Sequence, residues 1–517
     1  MGNETADRNE SPLLTPRPAS GGLERPDVVV RKGMLTLLNG HLTPQQSMIE
    51  DLLAIDDALS AAGVQHLLIR GNDVRPVLAL DERDRERAAS ALMSTFAGEP
   101  FYAKPPGKPA LLIADDGLGS RRADVLRVFR PRVEPIGRLR YGASTAVQLE
   151  FWRVTDEAVL APEENAMMRR SLPLDEFVLA SVERFGRSWQ TIEHMFDDHV
   201  TDITFPIDIV FSWVDGNATE YQRARKAAQA GVQLGEGDDA PARFRQIDEL
   251  KYALRSVHMF APWIRTIYIA TDSPAPHWLA DHPGVRIVRS ESFFSDPSVL
   301  PTHNSQAVES QLHHIDGLSE HFIYSNDDMF FGRMIEPSMF FSPGSVSKFI
   351  VATTRIGLGA SSVERSGFEN AARVNRRLLQ QRFGAVTTRH LEHAATPLRR
   401  SVLTEMEHEF RAEFDATAAS RFRSAENISV TNSLYHYYAL MTGRAIVQEN
   451  ATVRYIDTTM QSGLAAMDQL LKKRNVDFFC LNDGSFPEVS DEERTARVTA
   501  FLDRYFPIPA PWERRAS

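Results

Sequence analysis

The sequence of 517 residues contains a single cysteine, Cys480. An intramolecular disulfide is therefore impossible, which excludes a secreted scaffold held together by disulfides. No run of about 18 apolar residues occurs, so the sequence predicts no transmembrane helix. Residues 1–26 lack the apolar stretch of a signal peptide. These absences predict a cytoplasmic protein that contacts a membrane at most peripherally, at its inner face.

Basic residues are fewer than acidic ones: 58 Lys and Arg stand against 69 Asp and Glu, for a formal net charge of -11. This excess disfavours nucleic acid as a partner, because the phosphate backbone attracts a basic surface. A local basic pocket for a diphosphate remains compatible with it. The hydrophobic content of 43% and the charged content of 25% are typical of a globular protein with a sizeable core.

The composition changes along the chain and predicts three segments. Residues 1–30 are polar and rich in proline and glycine, which predicts a disordered tail. Residues 31–200 combine an amphipathic helical pattern from Met48 with buried-strand patterns such as Val64–Ile69, which predicts a small mixed α/β domain. We find no chemistry-bearing motif in that domain, and its role stays open. Residues 201–517 form the third segment.

In this third segment, short runs of branched and aromatic residues alternate with amphipathic helical patterns. The strand candidates are Ile207–Val214, Thr266–Thr271, Val285–Arg289 and His321–Tyr324. Such alternation predicts an α/β domain with a mostly parallel sheet. Ligands of these sheets bind beyond the carboxyl ends of the strands. Side chains that follow the strands are therefore the candidates for chemistry.

Acidic side chains lie within or directly after two of these strands. Asp208 lies inside the first strand, where an unpaired buried carboxylate would be costly. Asp215 follows that strand, although an Asp-Gly pair also fits a plain tight turn. Asn326, Asp327 and Asp328 follow the strand that begins at residue 321. Three such oxygen-bearing side chains suit Mg²⁺ or Mn²⁺ bridging a diphosphate, and they also fit a helix cap or a solvated loop.

Histidine and arginine residues further along the chain are candidates for proton transfer and phosphate binding. His393 could accept a proton from an attacking hydroxyl, because its reference pKa lies near neutrality, although a surface histidine fits the pattern as well. Arg423 could hold phosphate oxygens, although surface arginines are common. His313 and His314 are adjacent, so on a helix they would face different sides. We therefore expect a poor metal pair, with one of them structural.

Four segments in order resemble the conserved blocks of the Stealth family of capsular and exopolysaccharide phosphotransferases, which are sugar-1-phosphate transferases. The first three read IDIVFSWVDGNATEYQ, RFRQIDELKYALRSVHMFAPWIRTIYIATDSPAPHWL and LPTHNSQAVESQLHHIDGLSEHFIYSNDDMFFG. The fourth is spread over HAATPLRRSVLTEM, FRSAENISVTNSLYHYYALMTGRA, FFCLND and FPIP. The resemblance covers roughly residues 205–510 and is strongest to actinobacterial members, which also carry an extra N-terminal region.

The resemblance implies a definite reaction. An acceptor sugar hydroxyl attacks the β-phosphorus of a UDP-sugar, UMP leaves, and a hexose-1-phosphate or N-acetylhexosamine-1-phosphate is transferred during exopolysaccharide or capsule synthesis. His393 matches the active-site histidine and is expected to be the general base, with Asp215 and Asp327 as the alternatives. Arg423 matches an arginine that would stabilise the phosphoryl oxygens.

The resemblance also implies a nucleotide-sugar pocket and a metal. The residues expected to shape the donor pocket are Glu249, Arg255, Asn304, Glu309 and Asn326. Mg²⁺, or Mn²⁺ in its place, is expected on Asp328 with help from Asp208 or Asp483. The implied fold for residues 201–517 is a nucleotide-sugar-binding catalytic domain of the GT-A or Rossmann-like kind.

Two other classes of function remain open at this point. A metal-dependent glycosyltransferase on a similar domain would release UDP in place of UMP. A non-catalytic module would bind a glycan or a nucleotide sugar without turnover. The expected partners are a UDP-sugar and an oligosaccharide or polysaccharide acceptor, and a homo-oligomer is compatible with the sequence. The sugar, its linkage and the acceptor are not specified by these patterns.

Overall fold

The computed structural model describes residues 25–115, 118, 123–229, 234–236, 238, 246–484 and 487–514. The chain divides into two compact units, Met1–Asp198 and His199–Ser517. The sequence predicted a disordered tail over residues 1–30. Residues 1–24 of this tail lie outside the described residues. Its last part differs from the prediction, because Val28–Arg31 forms a strand, as its three consecutive valines favour.

In its described residues, the first unit combines a four-stranded sheet, an eight-stranded sheet, a separate hairpin and two α-helices. Its strands are β1 (Val28–Arg31), β2 (Met34–Leu38), β3 (His66–Ile69), β4 (Val77–Asp81), β5 (Tyr102–Lys104), β6 (Leu111–Leu112), β7 (Val125–Phe129), β8 (Arg132–Val133), β9 (Arg140–Tyr141), β10 (Val147–Val154), β11 (Ala158–Leu160), β12 (Ser171–Pro173), β13 (Leu179–Arg184) and β14 (Arg187–Ile192). Its helices are α1 (Pro44–Ala61) and α2 (Arg85–Thr95).

One sheet of this unit has the order β1-β2-β8-β9. The larger sheet has the order β12-β11-β10-β7-β5-β6, with β4 beside β10 and β3 beside β4, and β13 pairs with β14. Helix α1 begins with a reciprocal capping box between Thr43 and Gln46, which satisfies backbone groups at the helix start. Leu52 and Leu59 of α1 are fully buried in the core that covers the larger sheet.

The second unit carries the predicted α/β domain. Its strands are β15 (Ile207–Ser212), β16 (Ile267–Ala270), β17 (Val285–Val288), β18 (His321–Asn326), β19 (Met329–Phe331), β20 (Ser347–Phe349), β21 (Val351–Arg355), β22 (Arg389–Leu391), β23 (Thr396–Arg399), β24 (Ala445–Val447), β25 (Val453–Asp457) and β26 (Phe478–Asn482). Its helices are α3 (Thr219–Gln229), α4 (Glu249–Phe260), α5 (Ser305–Glu309), α6 (Gly367–Phe383), α7 (Arg400–Glu409), α8 (Arg411–Ala418), α9 (Tyr435–Met441), α10 (Gln461–Lys473) and α11 (Asp491–Tyr505). Within the described parts of the whole chain, no helix is both long and apolar enough to cross a membrane.

The main sheet of this unit has the order β17-β16-β15-β18-β23. The first four strands are parallel, and β23 is antiparallel to β18. In chain order the parallel strands run 3-2-1-4, which is the order of a doubly wound nucleotide-binding sheet. The prediction of a mostly parallel, Rossmann-like sheet is therefore confirmed. The direction of winding reverses between β15 and β18, which makes their carboxyl ends the expected ligand site.

The burial of the central strands explains why this sheet forms here. Ile209, Val210 and Phe211 of β15 and Phe322 and Ile323 of β18 are all fully buried. Continuous apolar runs of this kind suit strands that are covered on both faces by helices. Burial on both faces fixes the register, which pairs β15 with β18 over six residues and brings their carboxyl ends level.

A smaller sheet, β19-β26-β25, begins directly after the main sheet ends. Asp327 and Asp328 occupy the turn between β18 and β19. Strand β19 pairs antiparallel with β26, and the backbone N–H of Leu481 in β26 donates to the carbonyl oxygen of Asp328 at 3.0 Å. The two acidic residues are therefore held between two sheets, and the late segment around residues 478–482 folds back to them as the sequence predicted.

Asp208 lies at the amino end of β15, so the prediction that it binds the metal is wrong. Its fully buried carboxylate receives two hydrogen bonds from Arg265, at 2.8 Å and 2.5 Å, and one from the backbone N–H of Ser319 at 2.8 Å. Four residues of strand separate Asp208 from the carboxyl end of β15, a distance of about 13 Å. The sequence correctly marked a costly buried carboxylate, but Arg265 and Ser319 neutralise it.

Replacing Asp208 by alanine should therefore destabilise the protein. The change leaves the buried N–H of Ser319 without an acceptor, and we expect the free energy of unfolding to fall by about 1–3 kcal/mol. Urea denaturation measures this. The control Asp281→Ala removes an exposed aspartate and should change the stability by less than about 0.5 kcal/mol. Equal effects of the two substitutions would contradict the structural role of Asp208.

Candidate active site

Asp328 lies at the centre of a small polar group at the carboxyl end of the main sheet. Its Oδ2 accepts from Cys480 Sγ at 3.3 Å and from Asn482 Nδ2 at 3.5 Å. The Nε2 of His393 lies 3.9 Å from the same oxygen. Its Oδ1 is buried and has no hydrogen-bond partner among the described residues. A buried carboxylate oxygen without a partner is costly, so this atom is available to a cation.

Asp327 is surrounded by other carboxylates. Burial raises its pKa to about 8, and the negative charges of Asp328 and Glu249 add to the effect. Burial also raises the pKa of Glu249 to about 7, and the charge of Asp483 contributes to it. Gln246 Nε2 donates to Asp327 Oδ2 at 3.2 Å, which offsets part of the repulsion between these carboxylates. Such a concentration of negative charge favours a bound cation.

The loop after β15 reaches this acidic group through Gln246. The indole N–H of Trp213 donates to Gln246 Oε1 at 3.0 Å, so the Gln246 amide connects that loop to Asp327. Asp215 lies in the same loop, but its carboxylate accepts from the backbone N–H of Asn217 at 3.1 Å. Asp215 therefore stabilises a tight turn, as its Asp-Gly pair allowed in the sequence.

A buried network links the end of β18 to Arg423. The hydroxyl of Tyr324 donates to Asn326 Oδ1 at 2.8 Å and lies 3.2 Å from Glu309 Oε1. Burial raises the pKa of Glu309, and the charge of Arg423 opposes this rise. Arg423 itself donates to Ser305 Oγ at 2.9 Å. Asn326, Glu309 and Arg423, all predicted site residues, thus belong to one electrostatically connected group.

Arg423 also lines a cavity of about 260 Å³, together with Arg365 and Arg421. An ion pair with Asp238, 3.5 Å from Arg423, holds the guanidinium on one side. Gly367 permits its approach, because a Cβ at that position would lie 2.7 Å from the Arg423 side chain. Three arginines and one aspartate, Asp238, line this cavity, and the excess of positive charge suits phosphate oxygens.

Asp483 lies close to the acidic group but already has partners. Its carboxylate forms an ion pair with Arg494 and accepts from the Thr458 hydroxyl at 3.1 Å. Its charge still raises the pKa of Glu249. The structure thus places Asp483 beside the site, while its ion pair with Arg494 competes with the predicted role as a metal ligand.

Two residues predicted to shape the donor pocket are occupied by structural contacts. Arg255 donates to both carboxylate oxygens of Glu513 at 2.7 Å and to the carbonyl of Phe506 at 2.9 Å, so it holds the late part of the chain, and its predicted part in shaping the donor pocket stays a prediction. Asn304 caps α5 and donates from Nδ2 to Asn427 Oδ1 at 2.9 Å. Asn304 therefore supports the loop that carries Arg423.

The expectation that His313 and His314 diverge is also wrong. Leu312–His314 forms a 3₁₀ turn, and both Nε2 atoms lie 2.9 Å from the same oxygen of Glu407. The α-helical geometry assumed from the sequence would have separated the rings. This cluster lies outside the group around Asp328.

The side chains around Asp328 show whether Mg²⁺ fits this site. Three side chains, Asp328, His393 and Cys480, offer ligand atoms within 4.8 Å of one another. Burial raises the pKa of the Cys480 thiol well above its usual value, so the thiol stays protonated and is a poor ligand. The free Oδ1 of Asp328 is the donor that Mg²⁺ prefers, with substrate phosphates completing its shell.

Two residues of the site were missed by the sequence reasoning. Gln246 donates to Asp327, which is 81 positions away in the chain, and Cys480 donates to Asp328, which is 152 positions away. Neither carried a signal in the sequence, because both roles depend on these distant contacts. Asn482, which also donates to Asp328, lies in the late segment FFCLND that the family resemblance included.

Comparisons with known proteins identify the family. Models of Stealth protein conserved regions 2, 3 and 4 match residues 243–349, 392–440 and 468–517. The exopolysaccharide phosphotransferase CpsY of Mycobacterium tuberculosis H37Rv is 57% identical over 497 residues, covering 95% of this chain and 93% of its own. The chain belongs to the Stealth family. Region 2 includes both Gln246 and Asp328, and regions 3 and 4 include His393 and Cys480.

Other Stealth relatives extend the match. The exopolysaccharide phosphotransferase of Nocardia farcinica is 53% identical, covering 92% of this chain and 89% of its own. The segments that we compared with separate second and third blocks both lie largely inside conserved region 2. A solved galactosyltransferase, LgtC with donor and acceptor sugar analogues, is 13% identical over 59% of this chain and 96% of its own, with a TM-score of 0.29. That similarity is too distant to add to the fold assignment.

The raised pKa of Asp327 predicts a measurable pH dependence. An aspartate in the unfolded chain has a pKa of about 3.9, so between about pH 4 and pH 8 the folded protein binds more protons than the unfolded protein. Stability should therefore fall as the pH rises through this window. Asp327→Asn, measured in chelator, should raise the free energy of unfolding at pH 8 by about 1–3 kcal/mol, with little effect near pH 4.

The control is Asp316→Asn, at an exposed aspartate, which should leave the pH dependence of stability unchanged. Adding Mg²⁺ to the unsubstituted protein should recover part of the stability at pH 8, since a cation offsets the repulsion. A pH profile that is identical in Asp327→Asn and the unsubstituted protein would contradict this description of the acidic group.

Proposed function

We propose that this Stealth protein transfers a sugar-1-phosphate from a UDP-sugar to a hydroxyl of a glycan acceptor and releases UMP. The observation that carries the proposal is the position of His393, 3.9 Å from Asp328 at the switch point of the nucleotide-binding sheet. A base and a cation-binding carboxylate at one strand end suit phosphoryl transfer. The names of the relatives, exopolysaccharide phosphotransferases, support a role in exopolysaccharide or capsule synthesis.

His393 is the general base in this proposal. About one third of its side chain is exposed, so an acceptor hydroxyl can approach it. The imidazole accepts the hydroxyl proton as the acceptor oxygen bonds to the β-phosphorus and the bond from that phosphorus to the UMP oxygen breaks. The nearby carboxylate of Asp328 stabilises the imidazolium that results. Asp215 is a weaker candidate, because its carboxylate serves the turn at Asn217.

The described residues offer a place for Mg²⁺ at Asp328 Oδ1, where the free oxygen faces no other partner among them. When bound, Mg²⁺ would neutralise the negative charge of the diphosphate. The charges of Asp328 and Glu249 both act on Asp327, and Gln246 donates to Asp327 at 3.2 Å and so orients it. Asp483 remains a proposed contributor through its charge.

The basic cavity beside Arg423 is the proposed site for phosphate charge. Arg423 stabilises phosphoryl oxygens there, with Arg365 and Arg421 lining the same space. Asn326 and Glu309 connect this cavity to the end of β18. Catalysis of this kind depends on positioning and on charge stabilisation, because the protein forms no covalent intermediate.

We further propose that the reaction takes place in the cytoplasm, with at most peripheral contact at the inner face of the membrane. The acceptor would be an oligosaccharide or polysaccharide, and the net charge of -11 disfavours nucleic acid. Residues 31–200 have no assigned part in the chemistry, and residues 201–517 are proposed as the catalytic domain.

The released nucleotide tests the reaction directly. The purified chain is incubated with Mg²⁺, a panel of UDP-sugars and oligosaccharide acceptors, and the nucleotide product is identified by chromatography. We expect UMP, and we expect its release to stop in excess chelator. His393→Ala should slow the reaction by about 10²–10⁴-fold, as loss of a general base does.

His277→Ala, at an exposed histidine, is the matched control and should retain full turnover. Asp328→Asn should retain UDP-sugar binding by calorimetry while losing turnover, which separates an enzyme from a binding module. UDP as the product would contradict sugar-1-phosphate transfer and assign the chain to the glycosyltransferases. Equal rates for His393→Ala and His277→Ala would exclude His393 as the base.

A further inference from the structure

A second cluster of ligating side chains lies away from Asp328, where the turn Leu312–His314 packs against α7. The Nε2 atoms of His313 and His314 each lie 2.9 Å from Glu407 Oε2. The His313 side chain is fully buried, Glu407 is 9% exposed and His314 is 28% exposed. Two imidazoles and one carboxylate thus converge on one point that a solvent molecule or ion can reach from the His314 side.

The contacts of His314 Nδ1 indicate which of the two ring nitrogens carries the proton. His314 Nδ1 lies 3.2 Å from the backbone carbonyl of Phe293 and 3.2 Å from the hydroxyl of Ser295. A carbonyl oxygen can only accept, so Nδ1 carries the proton. With the proton on Nδ1, the lone pair of Nε2 faces Glu407 Oε2 at 2.9 Å and is available to a metal ion.

A single ion could contact all three side chains. The two Nε2 atoms lie 2.9 Å from the same oxygen of Glu407, and the two ring centroids are 4.0 Å apart. An ion bound between them would take one lone pair from each of the two rings and one from the carboxylate.

We propose that His313, His314 and Glu407 bind a divalent transition metal ion of the zinc class. Two imidazole nitrogens and one carboxylate oxygen are a donor set for such ions, whereas Mg²⁺ prefers oxygen alone. All three ligand atoms lie within 4.8 Å of one another. Ligand atoms in a tetrahedral zinc site are about 3.3 Å apart, given bonds of about 2 Å, so small side-chain shifts open the site.

The contacts behind His314 are those expected behind a metal ligand. A metal-bound histidine usually donates its other N–H to a carbonyl or a similar acceptor, which fixes the ring. The Phe293 carbonyl provides this acceptor for His314. The ion would join the turn before β18 to helix α7, which directly follows β23. It would therefore fasten two segments next to neighbouring strands of the main sheet, apart from the phosphoryl-transfer chemistry.

Cobalt(II) is the probe, because its visible absorption reports a site with nitrogen ligands. The full-length chain carrying Asp328→Asn, which removes the free carboxylate oxygen of the active site, is freed of metal with chelator and titrated with Co²⁺. We expect one tightly bound equivalent with visible absorption, displaced by Zn²⁺. His314→Gln and Glu407→Gln should each lose that equivalent, and His408→Gln, at an exposed histidine on the same helix, should keep it.

Thermal unfolding of the same proteins gives an independent reading. Zn²⁺ should raise the midpoint of the parent and of His408→Gln, and should not raise that of His314→Gln. No bound Co²⁺ in the parent would overturn the proposal. Equal Co²⁺ absorption in the parent and in His314→Gln would overturn it as well. If Glu407→Gln does not fold, His314→Gln, at a partly exposed position, keeps the comparison with His408→Gln decisive.

Discussion

The repulsion among the carboxylates at the end of β18 is the constraint on which the rest of the catalytic unit depends. Burial raises the pKa of Asp327 to about 8, and the neighbouring charges of Asp328 and Glu249 add to this rise. Such a group is stable only if surrounding structure holds it in place. The main sheet and the smaller sheet hold it, because the turn with Asp327 and Asp328 connects β18 of the first to β19 of the second. The repulsion is thus a cost of folding that a bound cation can relieve.

The scaffold around this turn is built from interactions that need no ligand. Asp208 and Arg265 neutralise each other at the opposite end of the sheet, and Arg255 binds Glu513 near the end of the described chain. These pairs place charged residues of conserved segments in structural roles. A charged residue in a conserved segment is therefore not by itself a site residue. Position along the strand distinguishes the two: Asp208 lies at the amino end and Asp328 lies just beyond the carboxyl end.

The sequence predicted the parallel strands and the acidic turn because both depend on local patterns. Apolar runs mark β15 and β18, and the residues after a parallel strand reach the ligand edge in any such sheet. It could not predict partners that depend on distant contacts, such as Arg265 for Asp208 or Cys480 for Asp328. It also mistook the geometry of His313 and His314, since a 3₁₀ turn and an α-helix have similar sequences but different side-chain directions. The comparisons recovered the family and left the site residues to be argued from geometry.

The choice of general base follows from which candidate has a free, accessible atom. The carboxylate of Asp215 accepts a hydrogen bond from the turn at Asn217. Asp327 accepts from Gln246, and burial raises its pKa, which favours the protonated form. A cation that ionised Asp327 would also hold its negative charge, which weakens it as a base. His393 has neither restriction: its side chain is one-third exposed and faces Asp328. In the proposed reaction, the carboxylate of Asp328 that binds the cation also stabilises the protonated histidine, so the metal and the base act through one residue.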